Sequence, residues 1–334
     1  EIAQCLVGSE MCIRDRAYVD QTTRAQIEFV KAQPDDYCYD PEIDANFVYD
    51  VTDPWNDDPA YVTQNGLRYW QAFRDGVVRA DSDGIKAVYA NFAKVFPKYA
   101  GGENFFGTSD AGYKAMFAQG KAAMIIDGGW RLTEHARDMK ALQKGEALKD
   151  ADGNVIENAQ VFELGTFNMP SMEGPEFLAP ARTIEVAVGF IGAISKSVEH
   201  DEAVVDFLMY YTSPEGYGAY LSTGIENGMS VNGPALVDGV ELPEEYAAMF
   251  ANLSFIGNCQ KGYNAALARG IGDNQEALRA WYGYTMDLLN GKIDIDTWGK
   301  MHQENQMGHF AEVLAASKIN PSDLDNPANE ATGK

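Results

Sequence analysis

The sequence predicts an α/β fold, and three observations predict it. Residues 122–126 are apolar at every position, bounded by glycines and flanked by helical patterns; the run is too short for a helix and reads as a strand buried on both faces of a parallel sheet. Residues 161–170 and 186–197 read as two further strands that alternate with amphipathic helices, the order of a sheet covered by helices. A length of 334 residues, 46% of them hydrophobic, is enough for two domains of roughly 100–200 residues each.

The first stretch stands apart from this pattern. Cys5 and Cys12 are too far apart for a C-x-x-C redox motif or a zinc knuckle. Cys5-Leu6-Val7 and Met11-Cys12-Ile13 are apolar runs of three residues, far short of a secretory signal. In one reading frame the constant part of a tagmentation sequencing adapter translates as Leu6-Val7-Gly8-Ser9-Glu10-Met11-Cys12-Ile13-Arg14-Asp15, with Ser or Arg next, and Arg16 follows. Residues 1–16 are therefore expected to be an adapter artefact. On that expectation the chain is a fragment of a metagenomic gene, with its native start and any signal peptide lost upstream of Ala17.

Residues 35–58 are rich in Asp, Pro and Tyr. Pro34, Pro41, Pro54 and Pro59 exclude a long helix and leave room for one short strand at 46–51. The acidic pairs there lack the regular oxygen spacing of a calcium loop. Helices are expected over 67–74 and 85–96, the second placing Val88, Phe92, Val95 and Phe96 on one face and ending at Pro97. A short helix over 112–121 closes on Gly120, and another follows over 133–143. Residues 149–158 read as a hairpin turning at Asp152-Gly153; as an EF-hand the glycine falls at the wrong loop position.

Two helices follow strand 186–197. Val204, Phe207, Leu208 and Tyr211 form the inward stripe of the first, and Ser213-Pro214 opens the second. Tyr210-Tyr211 falls on the first of these amphipathic helices and reads as core. Residues 273–276 form a capping box for a helix with Leu278, Trp281, Thr285, Leu288 and Leu289 inward, closed by Asn290-Gly291. One last helix is expected over 294–316, then a fraying polar tail.

A net charge of −24 argues against nucleic acid and against anionic membrane surfaces as partners. The motifs of zinc proteases, P-loops, serine hydrolases and cysteine nucleophiles are absent from the sequence, and His302 and His309 sit two helical turns apart, too far to share a metal. No catalytic residue, metal or cofactor is expected. Carboxylates are numerous enough that a glycosidase pair stays open as an alternative. The aromatic content, 5 Trp, 17 Tyr and 16 Phe, suits stacking on sugar rings as well as a core. Trp281 and Trp298 fall on helical stripes and read as core. Trp130 follows the expected strand 122–126 directly after Asp127-Gly128-Gly129, where ligands meet the carboxyl ends of strands in open α/β sheets.

Four segments in order carry a resemblance. "MFAQGKAAMIIDGGW" resembles the F-x-x-G-K-A-A-M-x-x-x-G-x-W signature of extracellular solute-binding proteins of sugar-type ABC importers, the maltose-binding protein group, through Phe117, Gly120, Lys121, Ala122, Ala123, Met124 and Trp130. "MPSMEGP", "GAISKSVEHDEAVVDFLMYYTSPEGYGAYLSTG" and "LLNGKIDIDTWGKM" resemble later elements of the same family.

The resemblance implies a two-lobe periplasmic-binding-protein fold with the first lobe largely missing: 17–186 as part of the second lobe, 187–235 as a piece of the first, and 236–334 as a return to the second. It implies a monomeric, non-catalytic, extracytoplasmic receptor, periplasmic or a surface lipoprotein, that grips a sugar or oligosaccharide between its lobes and delivers it to ABC permease subunits. It implies ligand contacts by Trp130, Asp127 and Arg131, and by Glu226, Asn227, Tyr263 and Asn264 in two later loops. A polyamine is the alternative ligand, and a carbohydrate-active hydrolase the alternative class.

Overall fold

A computed structural model describes residues 18–19, 21–23, 31–48, 50, 63, 65–100, 110–126, 128, 131–150, 153–168, 170–181, 183–184, 194–229, 235, 237–253, 255–256 and 275–326. Among them the regular structure is helical: α1 (Gly66–Arg74), α2 (Asp83–Val95), α3 (Asp110–Ala118), α4 (Leu132–Gln143), α5 (Val198–Tyr211), α6 (Pro214–Glu226), α7 (Glu244–Phe250), α8 (Gln275–Leu289), α9 (Ile295–Gly308) and α10 (Phe310–Ala316). The described strands are β1 (Thr183–Ile184) and β2 (Phe255–Ile256), two residues each.

This corrects the α/β expectation, and with it the two-lobe periplasmic-binding fold. Residues 122–126 form no strand, and Met124 is 69% exposed. The reason lies one turn earlier: the N–H groups of Lys121 and Ala122 both turn back onto Met116 O, capping α3. Residues 161–168 carry no regular structure and join no ladder. They pack on helices instead, with Phe162 edge-on to Phe117 at 5.1 Å and Thr166 Oγ1 donating to Met249 O at 2.7 Å. Of the strand expected over 46–51, Asn46 ends the 3-10 turn Asp44–Asn46, residues 47, 48 and 50 are irregular, and 49 and 51 lie outside the described residues. Of strand 186–197, residues 186–193 lie outside the described residues, and 194–197 are irregular.

The chain divides into two compact units. Unit 1 contains Glu1–Ser109, Met169–Ile184 and Asn258–Lys334; unit 2 contains Asp110–Asn168 and Glu185–Gly257.

The core of unit 1 is aromatic. Asn65 caps α1 by accepting from Leu67 N–H, and Ser82 caps α2 by accepting from Ile85 N–H. α2 then buries Ile85, Val88, Tyr89 and Phe92; Val95, expected on the same face, is exposed in the last turn. Tyr89 stacks on Trp298 of α9 at 4.1 Å, and Trp298 stacks on His302 at 4.8 Å. Of the expected core positions of α8, Trp281, Thr285, Leu288 and Leu289 are buried with Trp298, and Leu278 is half-buried.

Several polar groups in this core bond across α8 and α9, while Trp281 Nε1 and the Gln306 amide are buried without a hydrogen-bond partner. Trp298 Nε1–H donates to Thr285 Oγ1 at 3.0 Å, Tyr284 Oη lies 2.7 Å from His302 Nδ1, and Asn305 donates to Ala277 O at 2.9 Å. Burial pushes the Tyr284 hydroxyl far above its usual titration range, so it stays a hydroxyl.

The expected last helix breaks in two at His309, whose backbone leaves the helical region and ends α9. The break lets α10 present Phe310 to Trp70 and Phe73 of α1, at 6.0 and 5.4 Å. Of the tail expected to fray, Pro321–Asp325 forms a 3-10 turn with Leu324 buried and Arg74 donating to Asp325 at 2.7 Å, and 327–334 lie outside the described residues. At the other end of unit 1, the buried Gln21 ties down 172–179, accepting from Met172 N–H at 3.0 Å and donating to Ala179 O at 2.8 Å.

Asp36 and Arg68 form a two-pronged ion pair, Nε to Oδ2 at 2.8 Å and Nη2 to Oδ1 at 2.5 Å, with the carboxylate fully enclosed. Burial opposes the Asp36 charge, but the hydrogen bonds from Arg68 and Gln33 N–H win and hold its carboxyl below 3.8.

Two outcomes follow for unit 1. Trp298→Ala removes the ring between Tyr89 and His302 and should cost about 3–5 kcal/mol in urea unfolding followed by circular dichroism, with Trp298→Phe costing less. Asp36 titrates below its ordinary value in the fold, so its contribution is present above that value and lost as pH falls through the folded one. Asp36→Asn should therefore lower unfolding stability by about 2 kcal/mol at pH 7, between an exposed and a buried pair, with the difference shrinking toward pH 2.

Candidate functional site

The candidate site is built on the α3–α4 segment of unit 2. α3 carries no proline and ends at Ala118, after which Gly120 takes a left-handed conformation, φ 67°, that a side chain would strain. Beyond 122–126 a turn forms at Gly128, whose carbonyl accepts from Arg131 N–H at 2.9 Å, and α4 begins. Arg131 stands at the N-cap of α4 without a side-chain cap bond, so the first turn is left to charge.

That charge is organised around Glu134. Arg131 Nη1 donates to Glu134 Oε2 at 2.8 Å, and Lys114 Nζ of α3 lies 3.5 Å from Oε1. A carboxylate in the first turn also complements the helix dipole. Burial raises the Glu134 pKa, yet the Arg131 hydrogen bond and the charges of Lys114 and Arg131 bring it below its usual 4.5. Asp138, one turn on, moves the other way: burial and then the Glu134 charge push its carboxyl above 3.8. Phe117 seals the underside, edge-on to His135 at 5.5 Å and to Phe162 at 5.1 Å.

The loop after α6 reaches the same helix. Gly228 O accepts from Arg137 Nη1 at 2.8 Å. Arg137 stands six residues beyond Arg131, about 9 Å along the axis. Glu226 is the last residue of α6 and exposed; Asn227 is its C-cap, also exposed, with its side-chain amide donating to Thr223 O at 2.7 Å.

Of the residues expected to touch ligand, the structure therefore brings Arg131 onto α4 and the Glu226-Asn227 loop onto the far part of the same helix. Asn227 is committed to its own helix end. Asp127, Trp130, Tyr263 and Asn264 lie outside the described residues.

Sequence reasoning missed Lys114, Glu134, Arg137 and Asp138. The Arg131–Glu134 pairing was visible as opposite charges at i, i+3. Lys114 carries no such signal, because only the folding back of α4 on α3 brings it to Glu134. The 149–158 hairpin is present as an antiparallel bridge, Lys149 to Val155, closed by Asp150 binding Asn154. Among the described residues no group of three or more His, Cys, Asp or Glu side chains could hold a metal.

No family model matches the chain, no curated protein matches it, and no solved structure matches it.

The opposed shifts of Glu134 and Asp138 give a pH signature. Glu134 titrates below its ordinary value, so its contribution holds above pH 4.5 and is lost as pH falls through its folded value. Asp138 titrates above its ordinary value; the fold favours its protonated form, so its contribution holds below pH 3.8 and is lost as pH rises through its folded value. In thermal unfolding at pH 7, Glu134→Gln should lower the melting temperature of unit 2 and Asp138→Asn should raise it. The Asp138→Asn gain should vanish near pH 3.

Proposed function

We propose that the chain belongs to an extracytoplasmic receptor that binds a sugar or oligosaccharide and passes it to an ABC permease, without catalysis. The observation that carries the reading is the ordered set of four sequence segments, of which Phe117, Gly120, Lys121, Ala122, Ala123, Met124 and Trp130 are the densest. Two of these positions have structural roles that fit a ligand-presenting turn: Phe117 is buried beneath α4, and Gly120 adopts the left-handed turn that ends α3. The reading does not need a parallel sheet. It needs Trp130 and the first turn of α4, which bears Arg131 and Glu134, to meet one solute. A ring face with paired donors and acceptors suits a polyhydroxylated solute, whose C–H faces stack on aromatics while its hydroxyls accept from guanidinium and donate to carboxylate.

Calorimetric titration against neutral mono- and oligosaccharides, with spermidine alongside, tests the reading. Saturable saccharide binding with no product by chromatography is expected. Cleavage of an oligosaccharide would transfer the chain to the hydrolases, and binding of spermidine alone would transfer it to polyamine receptors. In the saccharide-binding protein, Trp130→Ala should weaken affinity by about 1–3 kcal/mol through lost stacking and burial.

A further inference from the structure

α5 is amphipathic in an unusual sense. It buries no residue; Val204, Leu208 and Tyr211 are half-buried, and Tyr211 meets Tyr217 and Tyr220 of α6. Phe207, expected to point inward with them, is 56% exposed, and Tyr210, also expected in the core, is half exposed. The physical reason is angular: the apolar residues of α5 spread around most of the helix, so one neighbouring helix cannot cover them all.

The uncovered surface has an ordered pattern. At 100° per residue, Val198, Val205 and Met209 form one apolar stripe, and Ala203, Phe207 and Tyr210 form another. Glu199, Glu202 and Asp206 run between them. Val198, Val205, Phe207, Met209 and Tyr210 are 51% to 76% exposed. Between Val198 and Glu226 the chain carries no Lys or Arg. The aromatic row continues onto α6, with Phe207 stacked on Tyr211 at 6.1 Å and Tyr211 edge-on to Tyr220 at 5.4 Å.

We infer that the exposed face of α5 is a docking surface for a cationic amphipathic helix of a partner protein. Charge complementarity selects this occupant. Two apolar stripes accept the apolar face of a helix, while the acidic row between them and the flanking π faces each attract Lys or Arg. An acidic or neutral helix would bury Glu199, Glu202 and Asp206 without a counter-charge, which opposes binding. The inference stands independently of the solute that unit 2 binds.

The test uses the full chain and a fluorescein-labelled Leu/Lys amphipathic helix of about fourteen residues, the length of α5. The controls are a Lys/Ser peptide of equal charge and a Leu/Glu peptide, all read by fluorescence anisotropy. The Leu/Lys peptide should bind, and the Lys/Ser peptide should bind at least about tenfold more weakly, the loss of one well-buried apolar contact. Phe207→Ser with Met209→Ser should reduce Leu/Lys binding by about tenfold or more. Both positions are exposed, so circular dichroism of the double variant should match the parent. Glu202→Lys with Asp206→Lys should reduce Leu/Lys binding and raise Leu/Glu binding. Equal binding of the Lys/Ser peptide, or unchanged binding by the Phe207/Met209 variant, would overturn the inference in favour of bulk charge. A dimer in sedimentation equilibrium that the same variant dissociates would overturn it in favour of a second copy of the chain.

Discussion

The stack of Tyr89 on Trp298 on His302 is the constraint on which the rest of unit 1 depends. Three rings from α2 and α9 fill the space that α8 closes with Trp281, and each polar atom on the stack that reaches a partner does so across helices: indole to Thr285, imidazole to Tyr284. Rings of this size pack only in a few mutual orientations, so fixing one fixes the register of the others. The helix lengths follow. α9 has to end at Gly308 for α10 to swing Phe310 against Trp70 and Phe73, and the 3-10 turn that buries Leu324 completes that layer.

Unit 2 is organised differently. Its α3–α4 pair is joined by charge at the top, through Lys114, Glu134 and Arg131, and by aromatic contact at the base, through Phe117, His135 and Phe162. A carboxylate held between two cations stays charged while Asp138, a turn below, resists charging. The first turn of α4 thereby presents fixed charge at Arg131 and Glu134. This arrangement gives the receptor proposal its chemistry, and it is independent of the surface on α5.

Local signals read well where one short window determines the outcome. Ser213 caps its helix in the way its side chain favours, and Gly120 and Gly291 end helices in left-handed conformations. The stripe on α8 placed Trp281, Thr285, Leu288 and Leu289 in the core correctly. Signals that require a distant partner read poorly. An apolar run such as 122–126 is a strand only if another strand lies beside it, and here the backbone of Lys121 and Ala122 bonds back to α3 instead. Phe207 fits an inward stripe by spacing, yet one neighbouring helix covers too little of α5 to bury it.

By itself the sequence determined the places of most of the helices, the Ser213 cap, the aromatic core positions Trp281 of α8 and Trp298 of α9, and the acidic charge that argues against nucleic-acid partners. Each of these depends on residues within a few turns of one another. Tertiary structure alone decided that Lys114 meets Glu134, that the loop after α6 meets Arg137, that α9 breaks at His309, and which faces of α5 remain uncovered. Those outcomes depend on surfaces brought together from far apart in the chain, and side-chain spacing along a single segment carries no information about what will arrive opposite it.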